Sequence, residues 1–237
     1  MHHTLKKKNF LKGKKLNKNK ILFSLLGFIF FFPSISYAIT SEKLAKEIEK
    51  KYNLLKDVSM EFVQRVESSV FSDTQEVKGM MYLKNPDMFK IETKKEVITT
   101  DGETLWVFSE NNKQVTKSNI DKSRKIFKPN QYLYNFRKNY NPQLAGEEKI
   151  GKKLCYKLIL SPKELEKKVK DENNLFIKRL ILWVDKKSFL IKKLEYQDIN
   201  DNLVSFVFSK IKTNSKIKDS EFVFKAPKGV EVVDLTR

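Results

Sequence analysis

Only one cysteine, Cys155, occurs among the 237 residues, and the two histidines, His2 and His3, both stand at the N-terminus. A single thiol excludes an internal disulfide and a cysteine-built zinc cluster. It lies in Lys153-Leu154-Cys155-Tyr156-Lys157-Leu158, an alternation typical of a strand, where a lone thiol reads as packing. The want of histidine beyond position 3 removes the usual general base and the commonest metal ligand. No G-x-S-x-G elbow and no phosphate-cradling GxxxxGK[ST] loop occurs, so neither a serine hydrolase nor a nucleotide-driven enzyme finds support. The seven glycines and six prolines are too dispersed to make a linker. With no internal repeat either, the chain reads as one domain behind an N-terminal segment.

Lysine is what the chain has in plenty, and it gives a formal net charge of +19. Lys6, Lys7, Lys8, Lys12, Lys14, Lys15, Lys18 and Lys20 precede the apolar run Ile21 to Phe32, which leads to the small-residue exit Ser36-Tyr37-Ala38. That order is the order of a secretory signal peptide. The run is too short to span ~30 Å of hydrocarbon unaided, although the uncharged Pro33 to Ile39 could extend it into an uncleaved anchor. Cleavage after Ala38 would deliver residues 39–237 outside the cytoplasm with 40 basic against 29 acidic residues. A charge of that sign favours acidic partners or anionic membrane surface, but no nucleic-acid recognition motif accompanies it and none is expected as a partner. No cysteine stands at the exit, so the chain is not itself a lipoprotein.

In Thr40 to Lys56 a capping Thr or Ser precedes Leu44, Ile48, Tyr52 and Leu55, the three-or-four spacing of an amphipathic helix. From Val58 the period becomes two. Met60, Phe62, Gln64 and Val66 share one face of a strand; Val77, Gly79, Met81 and Leu83 share one face of the next. Asn85-Pro86-Asp87 turns the chain into Met88 to Thr93, and Asp101-Gly102 predicts a two-residue hairpin between Glu96-Thr100 and Glu103-Ser109. Lys113 to Lys117 reads as a sixth strand. Ser118 to Gly146 breaks the rhythm, and Tyr132, Leu133 and Phe136 at helical spacing predict an excursion with one or two short helices. Strands resume at Lys152 to Leu160, Leu175 to Val184, Ser188 to Gln197 and Asn202 to Thr213, and Phe222-Val223-Phe224 reads as the closing one. The expected architecture is mainly β: an incomplete, open antiparallel barrel of about eleven strands.

Four stretches carry a resemblance: Phe62-Val63-Gln64; Gly79-Met80-Met81-Tyr82-Leu83-Lys84-Asn85-Pro86-Asp87-Met88-Phe89-Lys90-Ile91; Thr100-Asp101-Gly102-Glu103-Thr104-Leu105-Trp106; and Phe222-Val223-Phe224-Lys225-Ala226-Pro227-Lys228-Gly229-Val230-Glu231-Val232. In this order and spacing, behind the leader, the chain resembles the periplasmic outer-membrane lipoprotein carriers called LolA. The resemblance implies an open barrel with an α-helical lid over its mouth, no cofactor, no metal and no catalysis. It implies acylated lipoproteins as cargo, loading from an inner-membrane lipoprotein-releasing ABC transporter, delivery to an outer-membrane lipoprotein acceptor, and action as a monomer. Many members carry arginine immediately before the turn proline, where it holds the lid closed. Here that position is Asn85, so either Lys84 substitutes or the lid is held differently.

On this reading Phe62, Met81, Leu83, Phe89, Ile91, Leu180, Leu182, Val184, Leu194, Phe206 and Phe208 line an acyl-chain groove, with Phe89 at its rim. Leu44, Ile48, Tyr52, Tyr132 and Phe136 belong to the lid. Alternation alone makes each of these equally an ordinary core residue. Two other readings stay open: a module of the same shape that senses envelope stress or carries a glycolipid, and an enzyme using an acidic pair that no motif places.

Overall fold

The computed structural model describes residues 39–68, 74–84, 86–122, 126–134, 136–163, 177–198 and 200–236. The expected leader and Asn85 lie outside them. The first element, α1 (Ser41–Asn53), begins at Thr40, whose Oγ1 accepts the Lys43 N–H at 3.3 Å. Glu42 in the first turn and Lys50 and Lys51 in the last complement the helix dipole. Its buried stripe is Leu44, Ala45, Ile48, Glu49 and Tyr52.

Twelve strands follow: β1 (Asp57–Glu67), β2 (Thr74–Lys84), β3 (Met88–Thr93), β4 (Glu96–Thr100), β5 (Thr104–Ser109), β6 (Gln114–Asn119), β7 (Tyr140–Ile150), β8 (Lys153–Pro162), β9 (Ile177–Asp185), β10 (Ile191–Asp198), β11 (Leu203–Thr213) and β12 (Glu231–Asp234). They form one open sheet in the order β12-β6-β5-β4-β3-β2-β1-β11-β10-β9-β8-β7. Every pairing is antiparallel except that of β12 on β6, which is parallel. Antiparallel alternation sets two ends. Near the start of β1 lie the turns β2–β3, β7–β8 and β9–β10; near its finish lie β3–β4, β5–β6 and the start of β11.

Several boundaries depart from expectation. The irregular excursion is shorter than 118–146, because β7 takes Tyr140 onward, with Pro142 tolerated where the outer edge needs no N–H. What remains is a 3-10 turn at Ile120–Lys122, the short helix α2 (Pro129–Leu133) with proline in its first turn, and a second 3-10 turn at Phe136–Lys138. The Asp101-Gly102 loop has three residues rather than two. The Asp101 carboxylate accepts the N–H of Glu103 and Thr104 at 3.0 and 2.8 Å, and Gly102 supplies φ 101°.

Phe222-Val223-Phe224 is not a strand. Asp219–Phe222 is a 3-10 turn, and the closing strand is Glu231–Asp234. The segment from Asn214 to Gly229 crosses the outer face of the sheet. Asp57 receives the N–H groups of Ser215, Lys216 and Ile217, Thr99 Oγ1 donates to Phe222 O at 3.1 Å, and Phe224 stacks on Phe108 at 5.3 Å. Chain running across strands finds no ladder partner, so its high β-propensity goes unused.

Candidate functional site

Alternate residues of β1 to β5 and β7 to β11 point to the inner, concave face. Phe62, Met81, Leu83, Phe89, Leu180, Leu182, Val184, Leu194, Phe206 and Phe208 are all buried there in one apolar cluster, with Ile91 partly buried against it. Leu44, Ile48 and Tyr52 of α1, and Tyr132 and Phe136 of the 129–138 segment, belong to the same cluster. The helices therefore roof the face that the strands line. Phe89 departs from its expected place at an accessible rim, being only 2% exposed. It pairs with Leu83 and Thr100 at the roofed end, and neighbouring strands close over it.

Polar contacts hold the roof. Tyr52 OH accepts the Ile191 N–H at 3.1 Å and Ser41 Oγ the Leu144 N–H at 2.9 Å, which ties α1 to β10 and β7. Glu49 accepts the Arg137 backbone N–H at 2.8 Å, while its other oxygen meets Arg137 Nη1 at 3.3 Å. Asn130 of α2 donates to Pro86 O at 2.9 Å, leaving its own buried Oδ1 without a partner among the described residues. Lys84 does not take over the family arginine's part. Its ammonium goes to Ile217 O at 2.7 Å and to the Asp219 carboxylate, on the outer segment. The polar contacts of the roof given above do not involve the Lys84 side chain.

At the other end of the sheet the concave face is open. A cavity of about 860 Å³ has Ile91, Ile98, Ile126, Phe127 and Phe206 as its apolar floor and Gln64, Glu76, Lys78, Thr93, Lys94, Lys95 and Glu96 at its rim. The size falls within the range of ordinary ligand pockets. Burial pushes the Glu96 carboxyl above its usual range. Phe127 separates the open and roofed halves. Its ring stacks on Tyr132, Phe206 and Tyr196 at 5.1, 5.3 and 5.6 Å. Nothing in its own neighbourhood, Ile126-Phe127-Lys128, distinguishes it, because two of its three partners, Tyr196 and Phe206, are distant in sequence.

The buried phenols are held neutral: desolvation pushes Tyr134, Tyr140 and Tyr196 up to about 12, and Tyr52 and Tyr132 further. Cys155 packs with Ile181 and Trp183 on the outer face, and burial, its largest influence, raises its thiol. Among the described residues no grouping of three or more His, Cys, Asp or Glu could hold a metal ion. What the concave face offers is apolar area with a polar rim.

Comparison with known proteins agrees with this geometry. Residues 53–225 match the family described as outer membrane lipoprotein carrier protein LolA. The outer-membrane lipoprotein carrier protein of Legionella pneumophila (strain Corby) is 28% identical over 215 residues, covering 90% of this chain and 98% of that one. That of Wigglesworthia glossinidia brevipalpis is 28% identical over 224 residues, covering 93% and 97%. An uncharacterized conserved protein from Thermus thermophilus shares the fold with a TM-score of 0.53 at 12% identity, over 81% of this chain and 98% of that one. The chain belongs to the outer membrane lipoprotein carrier family, LolA.

Proposed function

We propose that this chain is a periplasmic carrier that binds the acyl chains of lipoproteins released from the inner membrane and conveys them to the outer membrane without catalysing a reaction. The observation that carries this reading is the continuous apolar concave face, roofed over one half and open as a cavity of about 860 Å³ over the other. A sixteen-carbon chain loses roughly 12 kcal/mol of hydrophobic stabilisation on entering water, at ~0.8 kcal/mol per methylene. A carrier must supply comparable apolar surface and yet let go. A groove half filled by its own removable roof suits both demands, since the roof returns as cargo leaves.

Residues 1–38 are on this reading an export leader, cleaved after Ala38, and sequencing of envelope-fraction protein should begin at Ile39. Loading comes from an inner-membrane lipoprotein-releasing ABC transporter and unloading goes to an outer-membrane acceptor. The test is transfer. Protein isolated from the periplasm should retain a triacylated lipoprotein released from spheroplasts and should not retain its delipidated form. Equal retention of both forms would overturn the reading, and mass spectrometry of the native ligand would then show whether a glycolipid takes its place.

A further inference from the structure

The start-of-β1 end of the sheet divides by charge. On the β3 to β6 side its turns carry Asp87, Asp101, Glu103 and Asp121, with Lys122 beside the last. On the β7 to β11 side they carry lysines: Lys152 between β7 and β8 with Lys153 opening β8, and Lys186 and Lys187 between β9 and β10. These four surround a shallow groove of about 460 Å³ that also takes in Leu154 and Asp185. The end of α1 joins them with Lys50 and Lys51, because Tyr52 OH is bonded to Ile191 just beyond the β9–β10 turn.

The acidic groups on this side are already engaged. Asp185 turns inward, is 4% exposed, and accepts the N–H groups of Lys187 and Ser188 and the Ser188 hydroxyl. Asp57 is taken by three backbone N–H groups of the outer segment. Glu147 pairs with Lys186, and Asp185 lies 3.9 Å from the Lys153 ammonium, so the field left uncompensated among the described residues is that of Lys50, Lys51, Lys152 and Lys187. Two leucines stand exposed among these cations: Leu54 at the end of α1, 70% exposed, and Leu154 in the groove, 43% exposed.

We infer that this end is a docking surface for an anionic phospholipid membrane. Clustered lysines are drawn to the negative surface potential of such a layer, and a few exposed apolar side chains beside them can enter the headgroup boundary. An acidic protein would satisfy the lysines but would leave the two separated leucines without a reason. The cavity mouth lies at the opposite end of the sheet, among Gln64, Val77 and Thr93 to Glu96. Docking therefore holds the carrier at a membrane with its mouth turned away from the lipid, so that cargo arrives from another protein. The inference goes beyond cargo binding and stands or falls independently of it.

The experiment is co-sedimentation of protein isolated from the periplasm with vesicles of phosphatidylglycerol and phosphatidylethanolamine, or of phosphatidylcholine alone, at low and high salt. Binding should occur on the anionic vesicles at low salt and fall away as salt screens it. The variant K50Q/K51Q/K152Q/K187Q should lose at least about tenfold in partitioning. The variant K113Q/K163Q/K178Q/K228Q, which removes the same charge from the opposite end, should lose much less. Both should keep the parent melting temperature. Equal losses would mean that net charge alone is at work and would overturn the patch. Equal binding to phosphatidylcholine, or no binding to either vesicle, would overturn the lipid as partner and assign the lysines to an acidic protein.

Discussion

Arg137 and Glu49 are joined twice, through the Arg137 backbone N–H at 2.8 Å and its guanidinium at 3.3 Å, so that the 3-10 turn Phe136–Lys138 is pinned to α1. A ligand that enters by parting these two pieces of the roof must break this contact. The Glu49 side chain is 11% exposed and Arg137 36%, so solvent screens the pair only in part.

Substituting Arg137→Gln keeps the backbone bond and removes the ion pairs of the guanidinium with Glu49 and with the more exposed Glu42. Roof closure should weaken by about 1 kcal/mol after allowance for solvent. A ligand that must displace the roof then binds about fivefold more tightly, since less of its binding energy goes into opening. Titration of a fluorescent fatty-acyl probe into parent and variant measures this. An unchanged affinity would mean that the roof is not latched here.

Asn85→Arg should act in the opposite sense. Asn130 already bonds to Pro86, next to position 85, and its buried Oδ1 has no partner among the described residues. A guanidinium introduced there can donate to that oxygen. A charge-assisted bond is worth ~1.5–3 kcal/mol, so the probe should bind roughly tenfold or more weakly and the melting temperature should rise. Equal affinity and stability would show that the β2–β3 turn does not govern the roof.

Gly79 faces Phe62 across the β1–β2 pair, and a Cβ at this position would stand 2.3 Å from Glu92 O and 2.7 Å from Phe62 Cζ. Backbone cannot yield as a side-chain tip can. Gly79→Ala should therefore displace the Phe62 ring or the β2–β3 ladder, costing ~1–3 kcal/mol or more, seen as a lower urea midpoint. A neutral result would mean that the two strands have room to part.

Much of the inner apolar face was legible in the sequence, because β1, β2 and β11 alternate with period two. Met81, Leu83, Phe206 and Phe208 needed no more than that. The strand β7 was hidden by Pro142, Gly146 and the charged Glu147-Glu148-Lys149, which an edge strand tolerates because only one side of it pairs. Phe127 was missed because two of its stacking partners, Tyr196 and Phe206, come from β10 and β11. No local pattern encodes a contact of that range. Phe222-Val223-Phe224 misled for the converse reason: local β-propensity is strong, but the segment crosses the strands instead of joining them.

The roofed and open halves of the concave face can be told apart with Phe89 and Phe127. Phe89 is closed in between β2 and β4 at the roofed end, so Phe89→Ala leaves a cavity that packing cannot fill and should cost ~3–5 kcal/mol of stability. Phe127 is only partly buried and borders the open cavity, so Phe127→Ala should cost about 1–2 kcal/mol through lost ring stacking. Removing that ring also joins the open cavity to the roofed half and lengthens the apolar path available to a chain. A sixteen-carbon probe should then gain affinity relative to an eight-carbon probe, which the open cavity already accommodates. Thermal melts and paired titrations of the two variants test both statements. If Phe127→Ala unfolds the protein while Phe89→Ala is tolerated, the boundary between core and groove lies elsewhere, and the ring at Phe127 is a structural member of the core.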